Sequence, residues 1–185
     1  ITITDNESAP TVTLSRSASA IDENSGSTVT ITATLSVATF EDVTVSIDGT
    51  GGTGTEGTDF GTVSDITISA GDTTGTATVD PTDDSVYEDD ETAGISISGV
   101  SGGGASESGT QSVTVTITDD ESAPTVTLTI SATSIAENAG SSLTLTATLS
   151  GVADEDVIVT IGTAGTSTEA TDYTDGSGVI NDMTI

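Results

Sequence analysis

The chain repeats itself. Ile3-Thr4-Asp5-Asn6-Glu7-Ser8-Ala9-Pro10-Thr11-Val12-Thr13-Leu14 returns as Ile117-Thr118-Asp119-Asp120-Glu121-Ser122-Ala123-Pro124-Thr125-Val126-Thr127-Leu128, an offset of 114 residues. At the same offset Ile21-Asp22-Glu23-Asn24-Ser25-Gly26 answers Ile135-Ala136-Glu137-Asn138-Ala139-Gly140, and Thr32–Ser36 answers Thr146–Ser150. A period of that length is one small domain. Copying a domain head to tail builds length or valency rather than one active site.

Within each period the apolar residues alternate with Thr and Ser, the two-residue rhythm of a half-buried strand. Strands are expected near Thr11–Ser15, Thr28–Leu35, Val43–Ile47, Ile66–Ser69, Thr76–Val79, Gly94–Ser98 and Ser112–Thr118. On Val29–Leu35, Val29, Ile31, Ala33 and Leu35 share one face and the threonines take the other, where β-branching suits a solvated pleat. Turns are expected at Gly49–Gly54, Ala70–Asp72 and Gly102–Gly104, and no stretch sustains a helical period. Seven short strands in roughly 110 residues predict an all-β fold: tandem immunoglobulin-like, seven-stranded antiparallel β-sandwiches. With 2 % aromatics the core must be small and aliphatic.

The expected organisation is a last strand of a preceding repeat at 1–5, a complete repeat over 6–119, and the first four or so strands of the next over 120–185. Asp182–Ile185 aligns with the fourth strand at Asp65–Ile68. The reading is an excerpt from a longer tandem array. The join Glu121-Ser122-Ala123-Pro124 is too short for a flexible linker, so neighbouring repeats should sit nearly in contact.

Charge narrows the chemistry. Thirty acidic residues stand against one basic residue, Arg16, for a formal net charge of −29. Nucleic acid and anionic membrane need Lys and Arg on the protein, so neither is expected as a partner. With no Cys and no His, thiolate zinc sites, disulfides and His-based nucleophilic catalysis are absent. No apolar run approaches the roughly 18 residues of a membrane helix. Disorder is disfavoured, because charged residues are only 17 % and the apolar ones alternate.

The carboxylates are clustered in loops. Asp83-Asp84-Ser85-Val86-Tyr87-Glu88-Asp89-Asp90-Glu91 lies between the fifth and sixth expected strands, Asp119-Asp120-Glu121 ends the seventh, Glu23 follows the first, and Asp59 follows the third. In an antiparallel sandwich, loops after odd strands gather at one end. Asp59, Asp83, Asp84, Glu88, Glu91, Asp119, Asp120, Glu121 and Glu23 are therefore expected to crowd there. Bare, such a cluster repels itself. Ca²⁺, a hard cation taking six to eight oxygens and often a backbone carbonyl, is the natural counter-charge.

These segments resemble the Calx-beta family, which senses calcium in sodium/calcium exchangers and recurs in large bacterial adhesins. The matching signatures are Ile21–Gly26, Gly57-Thr58-Asp59-Phe60, Ile68-Ser69-Ala70-Gly71-Asp72, Asp83–Glu91 and Ile117–Glu121, in the family's order across the first repeat. The resemblance implies that Glu23, Asp59, Asp83, Asp84, Glu88, Glu91, Asp119 and Asp120 are Ca²⁺ ligands. Val86 would add its carbonyl, and Glu121 is a further candidate. Ser85 departs from the pattern, standing where calcium-rich members often carry a third Asp. In the second repeat Glu137 and Asp172 match, while Asp5 and Glu7 would belong to a preceding repeat's site.

The expected function is a calcium-binding structural extender of a large secreted or cell-surface protein, an adhesin or filament stiffened by Ca²⁺ at domain junctions. Its expected partners are neighbouring repeats of the same chain and like chains in a filament, without membrane insertion. Two alternatives stand: a calcium-sensing regulatory module, and an acidic β-sandwich spacer without metal. An enzyme is not expected. Sugar sites favour aromatic platforms, and the only aromatics are Phe40, Phe60, Tyr87 and Tyr173.

Overall fold

A computed structural model describes residues 1, 7–137, 140–165 and 182–185. The strand expected over Ile1–Asp5 (beyond Ile1 itself) and the candidate residues Asp5 and Asp172 lie outside the described residues. The chain folds as two units. One comprises Ile1–Asp84 and Asp89–Asp120, the other Ser85–Glu88 and Glu121–Ile185.

The strands of the first unit, in chain order, are β1 (Thr11–Arg16), β2 (Ala20–Asp22), β3 (Val29–Leu35), β4 (Val43–Gly52), β5 (Ile66–Ile68) and β6 (Thr74–Val79). The chain then passes through β7 (Val86–Tyr87), which belongs to the second unit, before β8 (Glu91–Ser101), β9 (Ser106–Glu107) and β10 (Ser112–Thr118). A four-stranded sheet has the order β6-β3-β1-β9 and a five-stranded sheet the order β2-β10-β8-β4-β5. All seven expected strands are present, and the alternation on β3 is as read: Val29, Ile31, Ala33 and Leu35 are buried between threonines. From the other sheet Val43, Val45, Ile66, Ile68, Ala93, Ile95, Val115 and Ile117 close the same core. Phe60 is its one fully buried aromatic among the described residues.

Two features differ from expectation. The short strands β2 and β9 pair in parallel, β2 with β10 and β9 with β1, so the sandwich is not wholly antiparallel. The glycine run expected as a turn instead extends β4 to Gly52. Gly51 pairs with Gly94 on β8, and a Cβ on Gly94 would stand 2.4 Å from the Gly51 backbone. Glycine here permits a backbone approach that keeps the two strands paired.

In the second unit β11 (Val126–Ile130) pairs antiparallel with β12 (Leu145–Leu149), Val126 opposite Leu149. This is the Val12–Leu35 register of β1 and β3, moved by the repeat offset. Side-chain bonds repeat too. Ser150 Oγ accepts from the Thr125 N–H at 2.9 Å as Ser36 Oγ does from Thr11 at 3.0 Å. Asp182 Oδ1 accepts from the Ile161 N–H at 3.0 Å as Asp65 Oδ1 does from Ile47 at 2.9 Å. β13 (Val152–Ala153) pairs in parallel with β7, and β14 (Ile158–Val159) antiparallel with β15 (Met183–Thr184). Val126 of β11 is 41 % exposed, while its counterpart Val12 in the first unit is fully buried.

Two predictions follow from the first unit. Phe60→Ala empties the largest side-chain volume in an otherwise aliphatic core, and chemical denaturation should show a loss of about 3–5 kcal/mol. Asp48 accepts the Thr50 hydroxyl at 2.6 Å and the Thr50 N–H at 2.9 Å, and these bonds, the hydroxyl first, hold its carboxyl below its ordinary pKa against a small opposing desolvation. A depressed folded pKa gives stability that is present above the unfolded value and is lost as pH falls through the folded one. Thr50→Val should therefore move the Asp48 titration midpoint upward, read by NMR of the carboxyl carbon.

Candidate metal centre

The acidic end of the first unit is assembled by strand pairing. β2 runs beside β10 with Ile21 opposite Ile117 and Thr118 opposite Asp22. The Thr118 hydroxyl donates to the Ile21 carbonyl at 3.1 Å and lies 3.0 Å from Asp22 Oδ1. Both strands therefore end level, and the next residues of each, Glu23 and Asp119-Asp120, emerge side by side. Glu23 begins a single 3-10 turn, Glu23–Ser25, closed by Gly26 in the left-handed region at φ 59°. In this turn Asn24 donates its amide to Asp120 Oδ2.

Glu23 is the buried member, at 7 % exposure. It places a carboxylate oxygen within 4.8 Å of oxygens from Asp83 and Asp120, and within the same distance of one from Asp119. Asp83 arrives from the loop after β6, which is bolted to the Asp59 loop. Phe60 bridges Pro81, the Gly61 N–H donates to the Asp80 carbonyl at 2.8 Å, and the Thr82 N–H donates to the Asp59 carbonyl at 2.9 Å. Phe60 beneath is fully buried, which anchors Asp59 to the core. Asp59 also accepts from the Thr55 N–H at 2.5 Å, and its carboxylate comes within 4.8 Å of Glu91 at the start of β8.

Of the ten expected ligands, six are thus brought together within the first unit: Glu23 meets Asp83 and Asp120, Glu23 also meets Asp119, and Asp59 meets Glu91. Asp84 also lies on the first unit. Val86, Glu88 and Glu121 belong to the second unit. Two supporting residues carried no sequence signal as site residues: Asn24, whose amide engages Asp120, and Thr118, whose hydroxyl ties the two strand ends. Their motifs were visible, but a hydrogen bond across 96 residues of chain was not.

The donor set is all carboxylate oxygen, which suits a hard divalent cation such as Ca²⁺ and excludes sites built on sulfur or imidazole. Carboxylates this close repel one another, and Glu23 meets its neighbours from a buried position. The sole basic side chain, Arg16, is directed elsewhere, donating to the Ser19 carbonyl at 3.2 Å. The chemistry of the residues fits a cation.

Comparison with known proteins agrees on the family. The Calx-beta domain model matches residues 5–121 and again 119–181. No curated protein sequence matches significantly. Among solved structures, CBD12 from CALX1.2 and the calcium binding domain CBD12 of CALX1.1 are each 25 % identical with a TM-score of 0.47, covering 55 % of this chain and 41 % of theirs. The apo form of the Calx CBD1 domain is 24 % identical with a TM-score of 0.45, covering 60 % of this chain and 98 % of its own. This chain therefore spans less than half the length of the CBD12 structures. Matched twice along its length by the family model, the chain belongs to the Calx-beta family.

Proposed function

We propose that the chain is a calcium-binding structural extender of a large secreted or cell-surface protein. The observation that carries this reading is the Glu23 cluster: a buried carboxylate meeting Asp83, Asp119 and Asp120 at the end of a family domain whose chain runs directly onward. Asp120 is the last residue of the first unit, and residues 121–125 lead into β11 of the second. Glu23, Asp83, Asp119 and Asp120 would hold one Ca²⁺, and Asp59 with Glu91 would contribute to another. Asp84, on the same unit, is a further proposed ligand. The bound ion supplies positive charge where strand ends of one sign converge, and so removes the repulsion that would splay them.

Such a site would fill where calcium is millimolar, even at a dissociation constant near 10⁻⁴ M. Outside the cell the repeats would then stiffen into a spacer, with neighbouring repeats and like chains as partners.

Thermal melting of the intact chain tests this. Calcium at about 100 times its dissociation constant should add roughly 2.7 kcal/mol. For a unit of about 100 residues that is a rise of order 10–20 °C. Magnesium should not reproduce the rise, and Asp83→Asn combined with Asp120→Asn should abolish it. A flat calcium response would overturn the reading and leave an acidic spacer. The titration midpoint separates roles: near-millimolar supports extracellular stiffening, whereas micromolar supports a regulatory sensor.

A further inference from the structure

The loop between β3 and β4, Ser36–Asp42, carries an apolar group with no evident task in its own unit. Phe40 is fully exposed, Val37 is 49 % exposed, and Thr39 between them is buried. Two hydrogen bonds hold the loop at Thr39: its hydroxyl donates to the Glu41 carbonyl at 2.6 Å, and its carbonyl accepts from the Gly71 N–H at 2.8 Å. The Phe40 N–H has no acceptor among the described residues. A lone exposed Phe is ordinary on a protein surface. Its counterpart in the second repeat makes this one informative.

At the repeat offset, Ala38-Thr39-Phe40 corresponds to Val152-Ala153-Asp154. In the second unit that stretch is β13, and it is occupied. Val152 pairs with Val86 and Ala153 with Tyr87, in parallel, and the Asp154 N–H donates to the Tyr87 carbonyl at 3.2 Å. Thus one repeat's β3–β4-type loop takes a two-residue strand from the acidic loop that precedes its repeat in the sequence. The first unit presents the same loop with the corresponding N–H, that of Phe40, bonded to no acceptor among the described residues.

We propose that Ser36–Asp42 is a docking site for another copy of this repeat, which inserts a Val-Tyr strand equivalent to Val86–Tyr87. The mode is strand addition, in which backbone bonds give affinity and alternate side chains give selectivity. Phe40, where the second repeat has Asp154, adds an aromatic surface beside the incoming Tyr. Both partners are acidic: Glu41 and Asp42 flank the site, and Glu88, Asp89 and Asp90 follow the donor strand. Free in solution the contact is opposed by like charge. In a tandem array it is favoured by an effective concentration in the millimolar range. The second unit shows that acidic flanks are compatible with the pairing, since Asp154, Glu155 and Asp156 follow β13 directly.

The probe is a synthetic peptide of the Pro81–Thr92 sequence, added to the intact ¹⁵N-labelled chain. Chelator is present, so that failure of the calcium reading does not affect the result. Salt of about 1 M shortens the screening length to about 3 Å and suppresses the repulsion. The expected result is a saturable shift of the Ala38, Thr39 and Phe40 amides. It should weaken at least tenfold when the peptide carries Val86→Asp and Tyr87→Asp, and equally when the chain carries Phe40→Ser. Shifts confined to Val152–Ala153, shifts indifferent to either change, or no shift at millimolar peptide would each overturn the proposal.

Discussion

The acidic end of this domain depends on three residues of parallel pairing. Ala20–Asp22 could run as loop, and the remaining strands would still enclose the core. Laid against Thr116–Thr118, however, they bring Glu23 level with Asp119 and Asp120, about 96 residues away in the chain. The apolar term in that register is Ile21 over Ile117, both at the margin of the core. A one-residue slip would turn Ile21 outward and carry Glu23 away from Asp119 and Asp120. Hydrophobic packing thus fixes a geometry that electrostatics alone would reject.

That rejection is unusually complete in this chain. With one basic side chain among 185 residues, the common device of pairing a buried carboxylate with Arg or Lys is almost unavailable. Hydrogen-bond donors have to substitute. Asn24 serves Asp120, the Thr55 N–H serves Asp59, the Ile47 N–H serves Asp65, and the Ala70 N–H serves Asp42. Each of these donors stabilises a charge without neutralising it, so the net charge of the acidic end stays negative.

Much of this was legible in the residues. Period-two alternation located every long strand, because a sheet with one buried face must alternate, and Val29–Leu35 shows it without a break. The strands that escaped, β2, β7 and β9, have two or three residues, too few to display a period. Gly49–Gly52 read as a turn because glycine usually ends a strand; its use to let β4 and β8 close up shows only when the facing Gly94 is known. The acidic loops were found from clustering and motif order. Their division was not: Asp59 and Glu91 meet each other, Glu23 gathers Asp83, Asp119 and Asp120, and Ser85–Glu88 joins the second unit. Such partition is decided by pairing between distant segments, and local sequence does not encode it.

The two parallel pairings have a mechanical consequence. β1 enters the first unit and β10 leaves it, so tension along a tandem chain is applied to those two strands. β10 is held on one side by β2 and on the other by β8, and β1 by β3 and β9. Drawing β10 out past β2 slides the strands along their own direction, loading the inter-strand hydrogen bonds together rather than opening them one after another. Load is borne in shear, the arrangement in which a short patch of β-structure resists pulling best. A domain with a small aliphatic core can in this way still be hard to pull apart.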